Sequence, residues 1–184
     1  TGIDVDSYSI DEESVLYPDR SIVVGKIEPR KRQAFLQNKN LNIDFIGNNT
    51  DPNFDTNDSC YYGEQSKQDI MDNLTSYANM VLLSSGEAHP FVCLEAMASG
   101  LGLVLSEQST ANLDVDLPFI NVIPDTKLND TDFLRDQIVS NRKTSLTMRK
   151  EIRPYCKDNF DWCAIIQKYK EIINKLWCML PHAH

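Results

Sequence analysis

Short apolar runs recur along the chain, and most of them end in glycine. They are SIVVG, IDFIG, CYYG and MVLLSSG, which end at Gly25, Gly47, Gly63 and Gly86, followed by GLVLS at 102–106 and FINVI at 119–123. Runs of four or five apolar or β-branched residues are typical of strands that are buried on both faces. A glycine at the end of such a run supplies the tight or left-handed turn that follows. The pattern therefore predicts a series of short, buried strands.

In the segments between these runs, apolar residues recur at helical spacing. The sequence SKQD at 66–69 is a capping box, and Ile70, Leu74, Tyr77 and Ala78 then recur at helical spacing. Strand and helix alternate, which predicts an α/β fold with a doubly wound, Rossmann-like parallel sheet and helices on both faces. Ligands bind outside the carboxyl ends of the strands in such sheets.

Two further helices follow from the same reasoning. Pro90 suits the first turn of a helix that runs through FVCLEAMAS to Gly100, which suits the position after the helix end. A final amphipathic helix is predicted by apolar residues at i, i+3, i+4, i+7 spacing: Trp162, Ile165, Ile166, Tyr169, Ile172, Ile173, Leu176 and Trp177.

Composition restricts the class of protein. The 184 residues are 41% hydrophobic and 24% charged, which is typical of one globular domain. No apolar run approaches the roughly 18 residues of a membrane span, and the acidic amino terminus is unlike a secretory signal. The five cysteines are an odd number without a C-x-x-C pair. We therefore expect reduced thiols and a cytoplasmic protein.

The charge is unevenly distributed. The net charge of −9 argues against nucleic acid as a partner, because phosphate neutralisation needs a basic face. Residues 1–19 hold six acids and no Lys or Arg, and residues 44–72 hold seven acids with Lys67 as their one base. Against this background, a compact basic cluster stands out at Lys26, Arg30, Lys31 and Arg32.

The basic cluster carries the first chemical signal. Pro29 predicts a helix start, so the cations at 30–32 would lie in the first turn, where each opposes the helix dipole by about 0.3–1 kcal/mol. An anion held by backbone N–H groups and these side chains would remove that conflict. The alternative is a solvated basic turn that balances an acidic protein. Neither a GxGxxG loop nor a P-loop is present.

The segment 84–100 carries the second signal. Glu87 precedes Pro90, and Glu95 lies in the second turn of an otherwise apolar helix. A carboxylate there is costly unless it accepts hydrogen bonds, and sugar hydroxyls are natural donors. Alternatively, Glu95 lies at the edge of the buried face, where it is solvated or paired with a lysine. His89 alone is more typical of a loop histidine with satisfied hydrogen bonds than of a catalytic one.

Together these motifs resemble a known family. Glu87 and Glu95 are separated by seven residues and followed by a small-residue run, EAMASG, and a glycine-basic segment runs from Gly25 through Lys26 to Lys31. The chain resembles the carboxyl-terminal, donor-binding domain of a retaining glycosyltransferase of the GT-B fold, family 4. TGID, IDFIG, YYGEQSKQDI and FDWCAIIQKY resemble further family segments in the right order.

The sequence departs from the family pattern at several positions. Lys26 replaces the usual arginine, which keeps the charge but loses the planar fork. Arg32 stands where glycine is common, and Gly102 replaces the usual proline. Residues 108–114 match the family's glycine-acidic segment poorly, which puts phosphate contacts there in doubt.

The resemblance implies a role for each matching residue. Lys26 and Lys31 would hold the diphosphate of a nucleotide-sugar and stabilise the leaving group. Glu87 would position the donor sugar, Glu95 would accept hydrogen bonds from the ribose hydroxyls, and the loop at 63–65 would flank the base. Glu87, Lys26 and Lys31 are thus the expected catalytic residues. The expected donor-binding residues are Gly25, Arg32, Ala88, His89, Pro90, Phe91, Leu94 and Glu95.

The resemblance also implies a reaction and a missing partner. A hexose would pass from a nucleoside-diphosphate sugar to an acceptor with retention, and neither a divalent metal nor another cofactor is expected. The acceptor would bind an amino-terminal domain of the same protein that is absent here. We therefore expect donor binding with little or no transfer by this chain.

The resemblance also divides the chain into three parts. Residues 1–20 would be an inter-domain linker, 21–160 the nucleotide-sugar-binding domain and 161–184 a terminal helix. In the family this helix reaches back to the other domain, so exposed apolar surface is expected near Trp177 and Met179.

Other functions stay open at this stage. A non-catalytic nucleotide-sugar-binding or assembly module would keep the fold without using its glutamates in a reaction. A sugar-nucleotide epimerase or a phosphorylase could share the architecture, although a phosphorylase needs a Schiff-base lysine and none is evident. A receiver-like signalling domain would need acidic residues after the first strand, where this chain has Lys26.

Overall fold

Parallel strands alternate with helices along the chain. The computed structural model describes residues 2–11, 13, 15–88 and 90–179. Its strands are β1 (Tyr17–Val24), β2 (Ile43–Ile46), β3 (Tyr77–Leu82), β4 (Gly102–Ser106) and β5 (Ile120–Ile123). Its α-helices are α1 (Gln33–Gln37), α2 (Lys67–Asn73), α3 (Phe91–Ala98), α4 (Thr131–Thr147), α5 (Arg149–Phe160) and α6 (Trp162–Met179).

The sheet has the order β2-β1-β3-β4-β5, and every pairing in it is parallel. Successive strand residues point to opposite faces, so Ile22 joins the core on one face and Val23 the core on the other. Helices α3 and α5 cover the first face, and α1 and α4 cover the second. The predicted doubly wound, Rossmann-like α/β fold is confirmed.

Two sequence predictions of local structure are wrong. The run CYYG at 60–63 forms no strand; it makes one isolated bridge, between Tyr61 and Phe45, beside the outer edge of β2. Helix α2 has the predicted capping box between Ser66 and Asp69, but it ends at Asn73 and the chain continues as a 3-10 turn. Residues 77 and 78 belong to β3, because pairing with β1 outweighs their helical spacing.

The first and last described segments contribute unequally to the core. Ile3, Val5 and Tyr8 are buried. The backbone N–H of Ile3 donates a hydrogen bond to the Phe160 carbonyl, and its carbonyl accepts one from the Trp162 N–H, at the junction of α5 and α6. Helix α6 instead leaves its apolar residues exposed, with Trp177 at 71%, so the prediction of exposed apolar surface there is confirmed. The side chain of Met179 lies outside the described residues. Within the described ranges, every helix is too short or too polar to cross a membrane.

Candidate functional site

The carboxyl ends of β1 and β2 meet closely at two glycines. Gly25 and Gly47 have φ angles of +131° and +149°, which side chains other than glycine rarely adopt. A Cβ added to Gly47 would lie 2.0 Å from the carbonyl oxygen of Gly25. Glycine at this position therefore lets the two strand ends approach each other closely.

A cleft of about 330 Å³ lies against these glycines. Its lining residues are Val24, Gly25, Lys26, Ile46, Gly47, Asn48, Glu64, Gln65 and Ile70. Part of the 63–65 loop that was expected to flank a base thus forms one wall, and the first turns of α2 form another. The cleft lies at the carboxyl ends of β1 and β2, the edge of the sheet at which ligands bind in this class of fold.

The basic cluster is arranged differently from the prediction. Pro29 begins a 3-10 turn (Pro29–Lys31), and α1 starts at Gln33, so the cations at 30–32 precede the α-helix instead of occupying its first turn. Arg32 between the two helical pieces has a left-handed backbone, with φ 57°. This left-handed residue ends the 3-10 turn before α1 begins.

A buried amide fixes the turn. The Gln33 side chain is fully buried; it accepts a hydrogen bond from the Glu28 N–H (3.1 Å) and donates one to the Lys26 carbonyl (3.0 Å). The Lys31 ammonium lies over Gly25, 3.2 Å from the position of an added Cβ. Lys31 makes no ion pair with any residue that the structure describes, whereas Lys26 Nζ lies 3.9 Å from Glu28 Oε2. Lys31 is therefore a cation without a counter-charge beside the cleft.

Arg30 connects the basic turn to the loop that carries Glu87. Its guanidinium lies 3.3 Å from Glu87 Oε1, donates to Ser84 Oγ at 3.2 Å and also donates to the Gly86 carbonyl. Its own carbonyl accepts a 2.8 Å hydrogen bond from the Ser85 N–H. Sequence reasoning gave Arg30 no role of its own, and its position in the basic cluster was the one available signal.

Glu95 lies on α3 with its side chain 17% exposed. It forms an ion pair and hydrogen bond with Lys67, and the Lys67 ammonium also donates to the Tyr8 hydroxyl at 2.7 Å. The lysine partner was one of the two alternatives expected for Glu95. Burial alone would lower the pKa of Lys67, but the hydrogen bonds to Glu95 and Tyr8 and the charge of Glu95 outweigh it, so its pKa is raised.

The other expected donor-binding residues lie around the start of α3. Pro90 is buried at the amino-terminal cap position, Ala88 is exposed, and Phe91 is 51% exposed. The Leu94 side chain packs into the core, with 3% exposure, so it is not exposed to a ligand. His89 lies outside the described residues. No three His, Cys, Asp or Glu side chains converge on a possible metal position in the part of the chain that the structure describes.

Comparisons with known proteins bear on the fold. Neither a protein-family model nor a curated protein matches the sequence. Sucrose-phosphate synthase from Thermosynechococcus elongatus matches 97% of this chain over 52% of its own length, with a TM-score of 0.67 and 16% identity. HepE of Anabaena, solved with UDP and glucose, matches 95% of this chain over 55% of its own, with a TM-score of 0.65 and 14% identity.

A third solved structure is similar in size to this chain. It is the C-terminal domain of a glycosyl transferase group 1 family protein, LpcC from Francisella tularensis. It is covered over 100% of its length by 88% of this chain, with a TM-score of 0.64 and 16% identity. The chain thus spans about half the length of the first two structures, and its fold matches that of GT-B glycosyltransferase domains.

Proposed function

We propose that this chain is the donor-binding domain of a retaining, family 4 glycosyltransferase that uses a nucleoside-diphosphate hexose. The observation that carries the proposal is the Lys31 ammonium, which makes no ion pair within the described ranges and lies over Gly25 beside the cleft at the strand ends. A cation without a counter-charge favours an anionic ligand. The similarity of fold to HepE, which was solved with UDP and glucose, supports a nucleotide as that ligand.

Each residue would then act on one part of the donor. Lys31 and Lys26 would bind the diphosphate, and their charge would stabilise the negative charge that develops as the glycosidic bond to phosphate breaks. Glu87, held by Arg30, would accept hydrogen bonds from hydroxyls of the sugar. Glu95 would accept them from the ribose. The acceptor would reach the sugar from a second domain, so transfer belongs to the whole protein.

One observation favours the alternative of a non-catalytic nucleotide-sugar-binding module. Glu87 and Glu95 both already have cationic partners, Arg30 and Lys67, so neither carboxylate needs a substrate to balance its charge. Donor binding without any transfer by the full-length protein would support this alternative.

A thermal-shift panel of UDP, GDP and ADP tests the proposal. A ligand at 100 times its dissociation constant stabilises a protein by about 2.7 kcal/mol, which raises the Tm of a chain of this size by several degrees. We expect one diphosphate to do so for the wild type and Lys143→Ala, an exposed lysine on α4, but much less for Lys31→Ala. Absence of any shift in the wild type, or an equal shift in Lys31→Ala, would contradict the proposal.

A further inference from the structure

Lys67 lies at the rim of the proposed donor cleft. It is the first residue of α2, and the capping box between Ser66 and Asp69 fixes where that helix begins. Gln65 and Ile70, on either side of it in the sequence, line the cleft. From this rim the Lys67 side chain crosses to Glu95 on α3. The contact therefore joins α3 to the start of α2, the helix whose residue Ile70 lines the cleft.

The Lys67 ammonium has partners on two sides. The Tyr8 hydroxyl accepts its hydrogen bond at 2.7 Å, and the ammonium lies 5.2 Å from the centre of the Tyr8 ring. Tyr8 is itself 5% exposed, and its carbonyl accepts a 2.7 Å hydrogen bond from Arg153 on α5. The ammonium is thus held by a buried ring and a carboxylate, while the Lys67 side chain as a whole is 58% exposed.

Lys67 fixes the direction of the Glu95 carboxylate by binding one of its oxygens. The Glu95 side chain is largely covered, and an ionised carboxylate in such a place needs a partner. Among the described residues, Lys67 is the one cation in ion-pair contact with it. The bond uses Oε1, which leaves Oε2 and the remaining lone pairs to accept two hydroxyl donors. Vicinal hydroxyls, as on a ribose, fit that requirement.

We propose that Lys67, anchored by the Tyr8 hydroxyl, is a positioning residue that orients the Glu95 carboxylate toward the ribose 2′- and 3′-hydroxyls of the donor. The inference rests on the proposed function. It predicts that Lys67 governs the preference of the site for a ribose over a sugar without hydroxyls, and that it leaves phosphate binding largely unaffected.

Calorimetric titration with UDP, GDP and ADP, each beside its 2′,3′-dideoxy form, tests this role. We expect the wild type to bind one ribonucleotide about tenfold more tightly than its dideoxy form, since hydrogen bonds to a charged group are lost in the latter. Lys67→Met should reduce that preference to about twofold, chiefly through weaker binding of the ribonucleotide. Lys67→Arg should keep most of the preference.

Two further variants make the test specific. Lys157→Met removes another ion-paired lysine, whose partner is Asp6, and should leave both affinities unchanged. Tyr8→Phe keeps the ring and removes the anchoring hydroxyl, so it should lower the ribose preference even if Lys67→Met does not fold. An unchanged ribose preference in Lys67→Met and in Tyr8→Phe, or equal weakening of both nucleotide forms in them, overturns the inference.

The outcomes also separate this inference from the proposed function. A wild type that binds a diphosphate without preferring ribose leaves the donor-binding proposal standing and overturns the role of Lys67. A wild type that binds no nucleotide in either form overturns both.

Discussion

Arg32 adopts a backbone conformation that is costly for any residue with a Cβ. Its φ and ψ of 57° and 26° place it in the left-handed region, which costs about 1 kcal/mol relative to a right-handed residue. The side chain offsets part of this cost, because its guanidinium donates to the Leu83 carbonyl at 3.2 Å and lies 3.9 Å from Asp125. The family that the sequence resembles commonly has glycine at this position, which is the residue this conformation favours.

A matched pair of substitutions at Arg32 separates the side chain from the backbone. Arg32→Ala loses the guanidinium contacts and keeps the strained conformation, whereas Arg32→Gly loses the contacts and relieves the strain. We expect Arg32→Gly to be more stable than Arg32→Ala by about 1 kcal/mol in urea unfolding. Equal stability of the two variants would show that the turn relaxes to a right-handed conformation in solution.

At the residue scale, the sequence identifies two site residues when they lie close together along the chain. It does not identify the partners that come from distant segments. The spacing of Glu87 and Glu95 lies within one segment, so it could be noticed directly. The partner of Glu95, Lys67, is 28 residues away, and the pairing exists only because the fold brings the start of α2 close to α3. The connection of Arg30 to Glu87 depends in the same way on β1 and β3 being neighbours in the sheet.

At the element scale, buried strands and a capped helix start were predictable because their signals are local. Gly25 and Gly47 follow β1 and β2 as expected, and the capping box at Ser66 is present. The segment 60–63 has the composition of a strand, yet it lies along the edge of β2 and forms a single bridge with it. Whether this segment forms a strand depends on its neighbours in the folded protein, and the sequence pattern alone does not specify them.

Helix α4 is attached to the sheet by a buried amide network. Asn141, fully buried, accepts a hydrogen bond from Asn79 Nδ2 at 2.8 Å. Its own Nδ2 lies 3.0 Å from the carbonyls of Leu103 and Phe119 and 2.9 Å from Asn121 Oδ1. One side chain thus satisfies polar groups of three strands, and no hydrophobic pattern marks it.

Removal of that amide should destabilise the whole domain. Asn141→Ala leaves several buried polar groups with fewer partners, and we expect a loss of about 3 kcal/mol of unfolding free energy. Ser140→Ala, at the exposed neighbouring position, should change it by less than about 0.5 kcal/mol. Urea unfolding followed by circular dichroism measures both, and a similar small effect of the two variants would mean that water replaces the amide.

At the scale of the whole molecule, α6 differs from every other described helix. Its apolar residues follow helical spacing, yet Trp162, Tyr169, Ile173 and Trp177 are 50%, 63%, 59% and 71% exposed. A single domain gains little from apolar side chains that stay in water. The fold of this chain therefore does not account for the sequence of α6, in contrast to α5, where Ile152 and Cys156 are fully buried.

The energetic consequence can be measured by comparing the two helices. Trp177→Ser should lower the unfolding free energy by less than about 0.5 kcal/mol, because the indole is mostly solvated, while Ile152→Ala should cost about 2–5 kcal/mol through the cavity that it leaves. The wild type should also bind the dye ANS through this exposed surface, and Trp177→Ser should bind less. A stability loss from Trp177→Ser that grows with protein concentration would contradict this picture, because it would mean that a second copy already covers α6 in solution.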